Sequence, residues 1–417
     1  MWRLPPASCC MSSPVTADLP PGFEIIVAAL FGAMIGSFLN VCILRWGADP
    51  KQSVVRPPSR CPRCGRGLAW YDNIPVVSWL VLRARCRGCG EPISAQYPLV
   101  ELATAGIWAY LAWRHGITLE TLRGAVFGTI LLGIAMTDVR QYIIPHEFSI
   151  GGTVIAIALS AWPDPSYTLA SLQGALIGAG SVLLIGELSE LAIGQEAMGG
   201  GDCALMGMIG AFLGWEAVLP VLLIGAVVST LLFLVAAIWP RRPGDTPTPS
   251  ELAAGPEPRA FSWRTVARLS AAGAVPILLI VGSVSLGIVG ETLSAIFHGL
   301  LGAGLAYYAS FLLPASMAER SWVRVRGLIA AAVAIGIGGG PSVPRVAMGL
   351  SLGIAVLWQV RRVRLIPSPE TAEGLESQGY LPFGVGLAIA AGLLQLSGAM
   401  PLIRDFVLEY GKLLRFA

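Results

Sequence analysis

Long apolar runs recur along the chain and restrict its fold more than any other feature. A helix needs roughly 20 apolar residues to cross a bilayer. Runs near this length lie at 23–44, 98–114, 119–137, 147–162, 168–188, 203–215, 217–239, 269–290, 293–313, 327–340, 345–360 and 382–400. Charged residues make up only 13% of the chain, compared with about 25% in soluble domains. The sequence therefore predicts an all-α polytopic membrane protein with about twelve transmembrane helices.

The polar stretch at 45–97 sets the predicted orientation in the membrane. It carries nine Lys and Arg residues and three acidic residues. Short loops rich in Lys and Arg remain in the cytoplasm, so we predict a cytoplasmic loop here and an N-terminus outside. Counting spans onward places the basic clusters at 241–242, 320–326 and 361–364 on the same side. No basic block is interleaved with aromatic residues, so we expect no nucleic-acid partner.

Four cysteines in this loop have the spacing of a metal site. Two C-x2-C pairs are separated by 21 residues, and they comprise Cys61, Cys64, Cys86 and Cys89. Two such pairs can close a tetrahedral four-sulfur shell around zinc, with no open coordination position for catalysis. The alternative, two disulfides or four idle thiols, is disfavoured in the cytoplasm. We predict a structural zinc site that stabilises a loop too small to fold by burial alone.

Two aspartates at the edges of apolar runs are the candidate catalytic residues. Asp138 ends one run and Asp202 opens another, directly after the glycines at 199–201. The span count places both at the cytoplasmic boundary. Two facing carboxylates can share a proton, so that one acts as general base on a water and the other as general acid. In the alternative interpretation, Asp138 pairs with Arg140 as an interfacial anchor and Asp202 caps a helix.

Five stretches, taken in order, resemble the bacterial prepilin peptidases, also called type IV leader peptidases. The resemblance is highly specific because it covers about 23–239 and 380–400 in sequence order. The matching stretches are GSFLNVCILR, the loop SRCPRCGRGLAWYDNIPVVSWL with RCRGCGEPISAQYPLVEL, TDVRQYIIP, GGGDCALMGMIGAFLGW and YLPFGVGLAIAAG.

The resemblance implies an eight-span aspartic endopeptidase of the bacterial inner membrane. Such enzymes cleave the leader from type IV prepilins and type II secretion pseudopilins, which would be the partners here together with membrane lipid. Many members also methylate the new N-terminus, with S-adenosylmethionine as methyl donor. Motif matching makes Asp138 and Asp202 the catalytic pair and the four cysteines the zinc ligands.

This chain departs from the family pattern at three places. Ala204 stands where many members have Lys, and His146 stands where an acidic residue or Asn is common. Neither change removes a carboxylate, so they affect substrate preference and rate more than reaction class. The third departure is the segment 240–379, which replaces a short loop with two linkers and four apolar runs. Because four is an even number, the last span still enters the membrane from the cytoplasm.

These observations predict a division of the chain into eight parts. The parts are an N-terminal tail at 1–22, the first transmembrane helix at 23–44, the cytoplasmic zinc-binding loop domain at 45–97, the membrane aspartic peptidase core at 98–239, a cytoplasmic linker at 240–268, an inserted membrane subdomain at 269–360, a second linker at 361–380, and the last family-like helix with its tail at 381–417.

Other polar residues of the membrane runs and the loop admit two interpretations each. For Asn40, a hydrogen bond between helices competes with a role in shaping a substrate groove. Glu101 is expected at the membrane interface rather than in catalysis. Residues 70–73 either line a methyl-donor site or rest on the interface.

Two other functions are compatible with the same residues. An ion-coupled transporter would use Asp138 and Asp202 as a relay and would cleave no peptide. A zinc-knuckle scaffold would bind secretion-machinery partners and would keep its function without the aspartates. The sequence leaves open the individual substrates, the methylation status, the oligomeric state and the purpose of 240–379.

Overall fold

Helices are the main secondary structure of the part of the chain that the structure describes. The structure is a computed structural model that describes residues 22–48, 52–141, 143–162, 165–193, 199–238, 289–310, 329–330 and 383–405. The helices are α1 (Phe23–Trp46), α2 (Val77–Val81), α3 (Gln96–His115), α4 (Leu119–Gln141), α5 (His146–Ser160), α6 (Pro165–Ile193), α7 (Gly200–Leu213), α8 (Val218–Ile238), α9 (Val289–Ser310) and α10 (Phe383–Ser397). Within the described residues, β pairing is limited to two isolated bridges.

Nine of the predicted spans coincide with one of these helices, so the helical class is confirmed there. Four stretches are long and apolar enough to cross a membrane, namely Phe23–Trp46, Leu119–Gln141, Pro165–Glu187 and Trp215–Leu232. The shorter apolar helices are His146–Ser160, Gly200–Leu213, Ala295–Ala309 and Gly384–Ser397. The run predicted at 345–360, all of 269–290 except 289–290, and all of 327–340 except 329–330 lie outside the described residues. A total of twelve spans therefore stays a prediction.

The chain divides into two compact units, and each takes part of α1 and part of α4. The first unit comprises residues 1–41 and 57–129. In it, small residues of α1 lie against α3, since a Cβ built at Gly36 would lie 2.8 Å from the Cα of Glu101. The buried Asn40 amide donates to the carbonyl of Tyr97 at 3.1 Å. This is the predicted hydrogen bond between helices, in the small-residue setting that membrane helices favour.

The second unit comprises residues 42–56 and 130–417, and α7 lies at its centre. Eleven consecutive α7 residues, from Asp202 to Phe212, are buried. A helix buried on all sides must be apolar on all sides, and the sequence CALMGMIGAFL meets this requirement. The backbones of α6 and α7 approach closely where Gly174 faces the carbonyl of Gly210 and Gly178 faces that of Met206. Any larger side chain at these glycines would separate the two helices.

The last described helix, α10, packs against α8 in the same way. A Cβ built at Gly225 would lie 2.8 Å from the Leu387 side chain, and Gly386 faces the hydroxyl of Ser229. This packing fixes the N-terminus of α10, and that position matters for Asp138.

Candidate functional site

Asp138 lies near the C-terminal end of α4 and is almost fully buried, with 2% of its surface exposed. Its Oδ2 accepts a hydrogen bond at 3.0 Å from the backbone N–H of Val385. Val385 is the third residue of α10, so its N–H is one of the four that a helix leaves without an internal acceptor. The N-terminal end of α10 thus supplies a hydrogen-bond donor to the carboxylate.

Asp202 is the third residue of α7 and is also buried, with 5% of its surface exposed. Its Oδ2 accepts a hydrogen bond at 3.2 Å from the backbone N–H of Gly199. The helix begins at Gly200, whereas the apolar run predicted a start at 203. Two of the preceding glycines therefore form the first turn. Gly199 is the N-cap residue of α7, the position that the alternative interpretation gave to Asp202. The Asp202 carboxylate instead accepts the N–H of this N-cap residue, as in a capping box.

Ile144 lies near Asp138 and against the first turn of α7, which carries Asp202. A Cβ built at Gly201, next to Asp202 in the chain, would lie 3.0 Å from the Cβ of Ile144. A Cβ built at Gly384 would lie 2.7 Å from the Cδ1 of Ile144 and 2.8 Å from the Oδ2 of Asp138. α7 and α10 also pack against each other. The fold therefore gathers the C-terminal end of α4 and the N-termini of α7 and α10 around one side chain.

The absence of a side chain at Gly384 gives the first prediction. We expect Gly384→Ala to displace the Asp138 carboxylate or Ile144, because the added carbon would lie closer than real Cβ contacts permit. The replacement should reduce the rate of any reaction at this site by about tenfold or more, since misplacement of a catalytic group by about 1 Å can cost 100-fold. Activity assays on the purified protein would measure this reduction.

Gly392→Ala is the matched control for this prediction. Gly392 lies in the same helix, and a Cβ there meets no atom within 4 Å. Both replacements raise helix propensity by about 1 kcal/mol, so a difference between them reports the contact at Asp138. Equal rates for the two variants would contradict the prediction.

The four cysteines of the loop lie together as the spacing predicts. Their sulfur atoms all lie within 4.8 Å of one another, and the Sγ atoms of Cys61 and Cys89 are 3.8 Å apart. Tetrahedral thiolates around zinc, each at about 2.3 Å, are separated by about 3.8 Å. All four are free thiols, since disulfide sulfurs would lie at about 2.05 Å. The donor set and its spacing fit a zinc ion.

Each cysteine pair forms the same tight turn. The N–H of Cys61 donates to the carbonyl of Arg66 at 2.9 Å, and the N–H of Cys86 donates to that of Glu91 at 2.8 Å. The glycines that follow each pair, Gly65 and Gly90, have φ angles of 69° and 72°. Residues with a side chain rarely adopt this left-handed conformation. The second cysteine of each pair is thus turned towards the first.

The electrostatics of the cysteine cluster favour a bound cation. The backbone N–H groups of Cys89 and Gly88 donate to the sulfur of Cys86 and lower its pKa to about 6. The amide of Glu91 lowers the pKa of Cys89, but desolvation and the three neighbouring cysteines raise it more, to about 11. One thiolate therefore forms readily and opposes ionisation of the next. A divalent metal would allow all four to ionise together.

Ion pairs and a buried glutamate hold the rest of the loop. Arg87 donates to Asp72 at 2.8 and 3.0 Å. Glu101 is buried and accepts the N–H of Val76 at 2.7 Å. Val76 has a φ of 61°, which is unfavourable for a β-branched residue. The sequence indicated an interfacial role for Glu101 but could not identify Val76 as its partner, because their contact depends on the path of the loop.

Two family models match the chain in sequence order. The Bacterial Peptidase A24 N-terminal domain matches residues 30–115, and the Type IV leader peptidase family matches residues 125–234. A protein of Myxococcus xanthus named Prepilin leader peptidase/N-methyltransferase is 42% identical over 247 residues, which are 58% of this chain and 72% of the relative. The chain belongs to the type IV leader peptidase family.

Other members of this family align over similar lengths. The proteins of the same name from Pectobacterium carotovorum and Xanthomonas campestris are 36% and 34% identical. The alignments cover 58% and 53% of this chain, and 91% and 84% of the relatives. No solved protein structure matches the chain. Within this leader peptidase, α9 lies outside both matched regions.

Proposed function

We propose that the protein is a membrane aspartic endopeptidase that removes the leader peptide from type IV prepilins and type II secretion pseudopilins. Asp138 and Asp202 would be its catalytic residues. The observation that carries the proposal is the placement of two buried carboxylates on different helices of one unit, with Ile144 lying near Asp138 and against Gly201, the residue before Asp202. Membership of the leader peptidase family and the names of the relatives support the same reaction class.

In the proposed reaction the two carboxylates hold one proton between them. The ionised carboxylate takes a proton from water as the water oxygen attacks the scissile carbonyl carbon, and the protonated one donates to the carbonyl oxygen. The tetrahedral intermediate then loses its amine, which takes a proton from the carboxyl group that first acted as base, while the hydroxyl formed from the carbonyl oxygen returns its proton to the other carboxylate. The N–H groups of Val385 and Gly199 would hold each carboxylate in place through these steps.

The site is proposed to face the cytoplasm, with the protein in the bacterial inner membrane and its N-terminus outside. The positive charge of the loop at 45–97 supports this orientation. A prepilin would enter with its apolar N-terminal helix in the bilayer, which would bring the junction between leader and helix to the cytoplasmic boundary. The domain limits derived from the sequence, including the inserted membrane subdomain at 269–360, belong to the same proposal.

The protein is further proposed to methylate the N-terminus that cleavage exposes. The names of the relatives include this second activity. S-adenosylmethionine would supply the methyl group. Zinc held by Cys61, Cys64, Cys86 and Cys89 would supply folding free energy to the loop rather than chemistry, because four thiolates fill its coordination shell.

Mass spectrometry of a prepilin incubated with the purified protein and S-adenosylmethionine tests both activities. We expect a product that lacks the leader and whose new N-terminus is about 14 Da heavier than the unmethylated form, the mass that one methyl group adds. Cleavage without added mass would restrict the function to the peptidase. An intact substrate, under conditions in which a known family member cleaves it, would contradict the proposed function.

A further inference from the structure

The α9 helix lies outside both family matches, yet it packs directly against α6 in the second unit. Its Gly304 faces the carbonyl of Leu176 in α6, and Gly180 of α6 faces the carbonyl of Leu300. The two backbones thus approach each other closely along a seam of small residues. At the far end of α7, Phe297 packs edge-on against Trp215, with ring centroids 6.0 Å apart.

Tyr307 of α9 reaches the start of the helix that carries Asp202. Its hydroxyl donates to the carbonyl of Gly200 at 2.6 Å, and only 4% of Tyr307 is exposed. Gly200 is the first residue of α7. Tyr307 also lies within electrostatic range of Asp202. A buried hydrogen bond from a neighbouring helix therefore fixes the peptide that begins the Asp202 turn.

This turn needs an external constraint. Residues 199–201 are three successive glycines, and glycine allows more backbone conformations than any other residue. The direction of the Asp202 carboxylate depends on these conformations, because its own acceptor bond is to the N–H of Gly199. A hydroxyl that holds the carbonyl of Gly200 removes part of this freedom.

The adjacent Tyr308 makes different contacts. Its hydroxyl lies 3.4 Å from the Oγ1 of Thr153 and against Gly207, in the middle of α7. The Tyr308 hydroxyl therefore packs α9 against α5 and the middle of α7. The two tyrosines offer the same chemistry at two places, of which only one bears on Asp202.

We propose that α9, which the family pattern does not include, supplies Tyr307 as a positioning residue that orders the glycine turn before Asp202. The inserted segment would then be part of the peptidase rather than a separate membrane module. This inference rests on the proposed function, because it assigns Tyr307 a role in the orientation of a catalytic carboxylate.

Kinetics of Tyr307→Phe, with Tyr308→Phe as the matched control, test the inference. Loss of one buried hydrogen bond should lower kcat for prepilin cleavage by about 5- to 10-fold. KM should not change, because substrate contacts remain. Amide hydrogen exchange at 201–204 should become faster in Tyr307→Phe. Tyr308→Phe should keep the wild-type kcat and the wild-type exchange at 201–204.

Several results would overturn the inference. These are a wild-type kcat in Tyr307→Phe, an equal fall in kcat in both variants, or a failure of Tyr307→Phe alone to accumulate as folded protein, which would show a role in stability. Failure of the proposed function is distinguishable from these results. If the wild-type protein cleaves no prepilin, the exchange rates at 201–204 still report whether Tyr307 orders the turn.

Discussion

Replacement of either Asp138 or Asp202 by Asn is expected to reduce prepilin cleavage by at least about a thousandfold. A positioned acid or base contributes about 100- to 10,000-fold to a rate, and here each carboxylate would change role during the reaction. Asn has nearly the same size and keeps an oxygen that can accept the N–H of Val385 or Gly199. The fold should therefore survive. Cleavage rates of the purified variants give the measurement.

The double variant sharpens this first prediction. Because the two carboxylates act as a unit, Asp138→Asn with Asp202→Asn should be no slower than the worse single variant. Glu216→Gln is the control, since Glu216 follows α7 at the end opposite Asp202 and lies 3.6 Å from Arg404. It should keep wild-type cleavage. Processing that persists in both single variants would eliminate the catalytic assignment and favour a transporter or a scaffold.

The helical class of the fold was predictable because a bilayer permits few alternatives. A spanning segment must satisfy its backbone polar groups internally, so an apolar run of sufficient length implies a helix. Helix ends were less predictable. The apolar run at 203–215 predicted that the helix starts after Asp202, whereas α7 begins at Gly200. The difference arises because hydropathy does not show which glycines belong to the first turn of a helix.

The candidate site was predictable in its residue types and not in its neighbours. Asp138, Asp202 and the cysteines stand out because carboxylates and paired thiols are costly or rare in their sequence context. The Val385 amide that binds Asp138 lies 247 residues further along the chain. Its position depends on the packing of α10 against α8 through Gly225 and Gly386. No local pattern encodes such a contact.

Tyr307 shows even more clearly that the sequence does not reveal contacts between residues far apart in the chain. In the sequence it is one aromatic residue of an apolar run outside both family matches. Only the close approach of α9 to α6, at Gly304 and Gly180, brings its hydroxyl to Gly200. A segment that lies outside both family matches thus contacts the turn of a candidate catalytic residue.

Serine replacement of Cys61, Cys64, Cys86 and Cys89 together is expected to abolish zinc binding and to unfold the loop. Apparent zinc-binding free energies of small four-ligand modules are about 10–16 kcal/mol, and this energy is coupled to folding. Without the ion, the loop retains the hydrogen bond of Val76 to Glu101 and ion pairs such as the exposed Arg63 with Glu91, and exposed pairs contribute about 0–1 kcal/mol each. Elemental analysis would measure zinc, and limited proteolysis would measure the order of the loop.

The buried Cys42 of α1 provides the control for this second prediction, because it lies in an apolar helix outside the cluster. Cys42→Ala should keep zinc and a protected loop.

The mass of the prepilin product then separates the two proposed activities. The zinc-free protein should lose methylation, whereas its aspartates, which belong to a different compact unit, should retain cleavage. Methylation at the wild-type rate without zinc would show that methyl transfer does not need a folded loop. Loss of cleavage together with methylation would instead show that the peptidase depends on a folded loop.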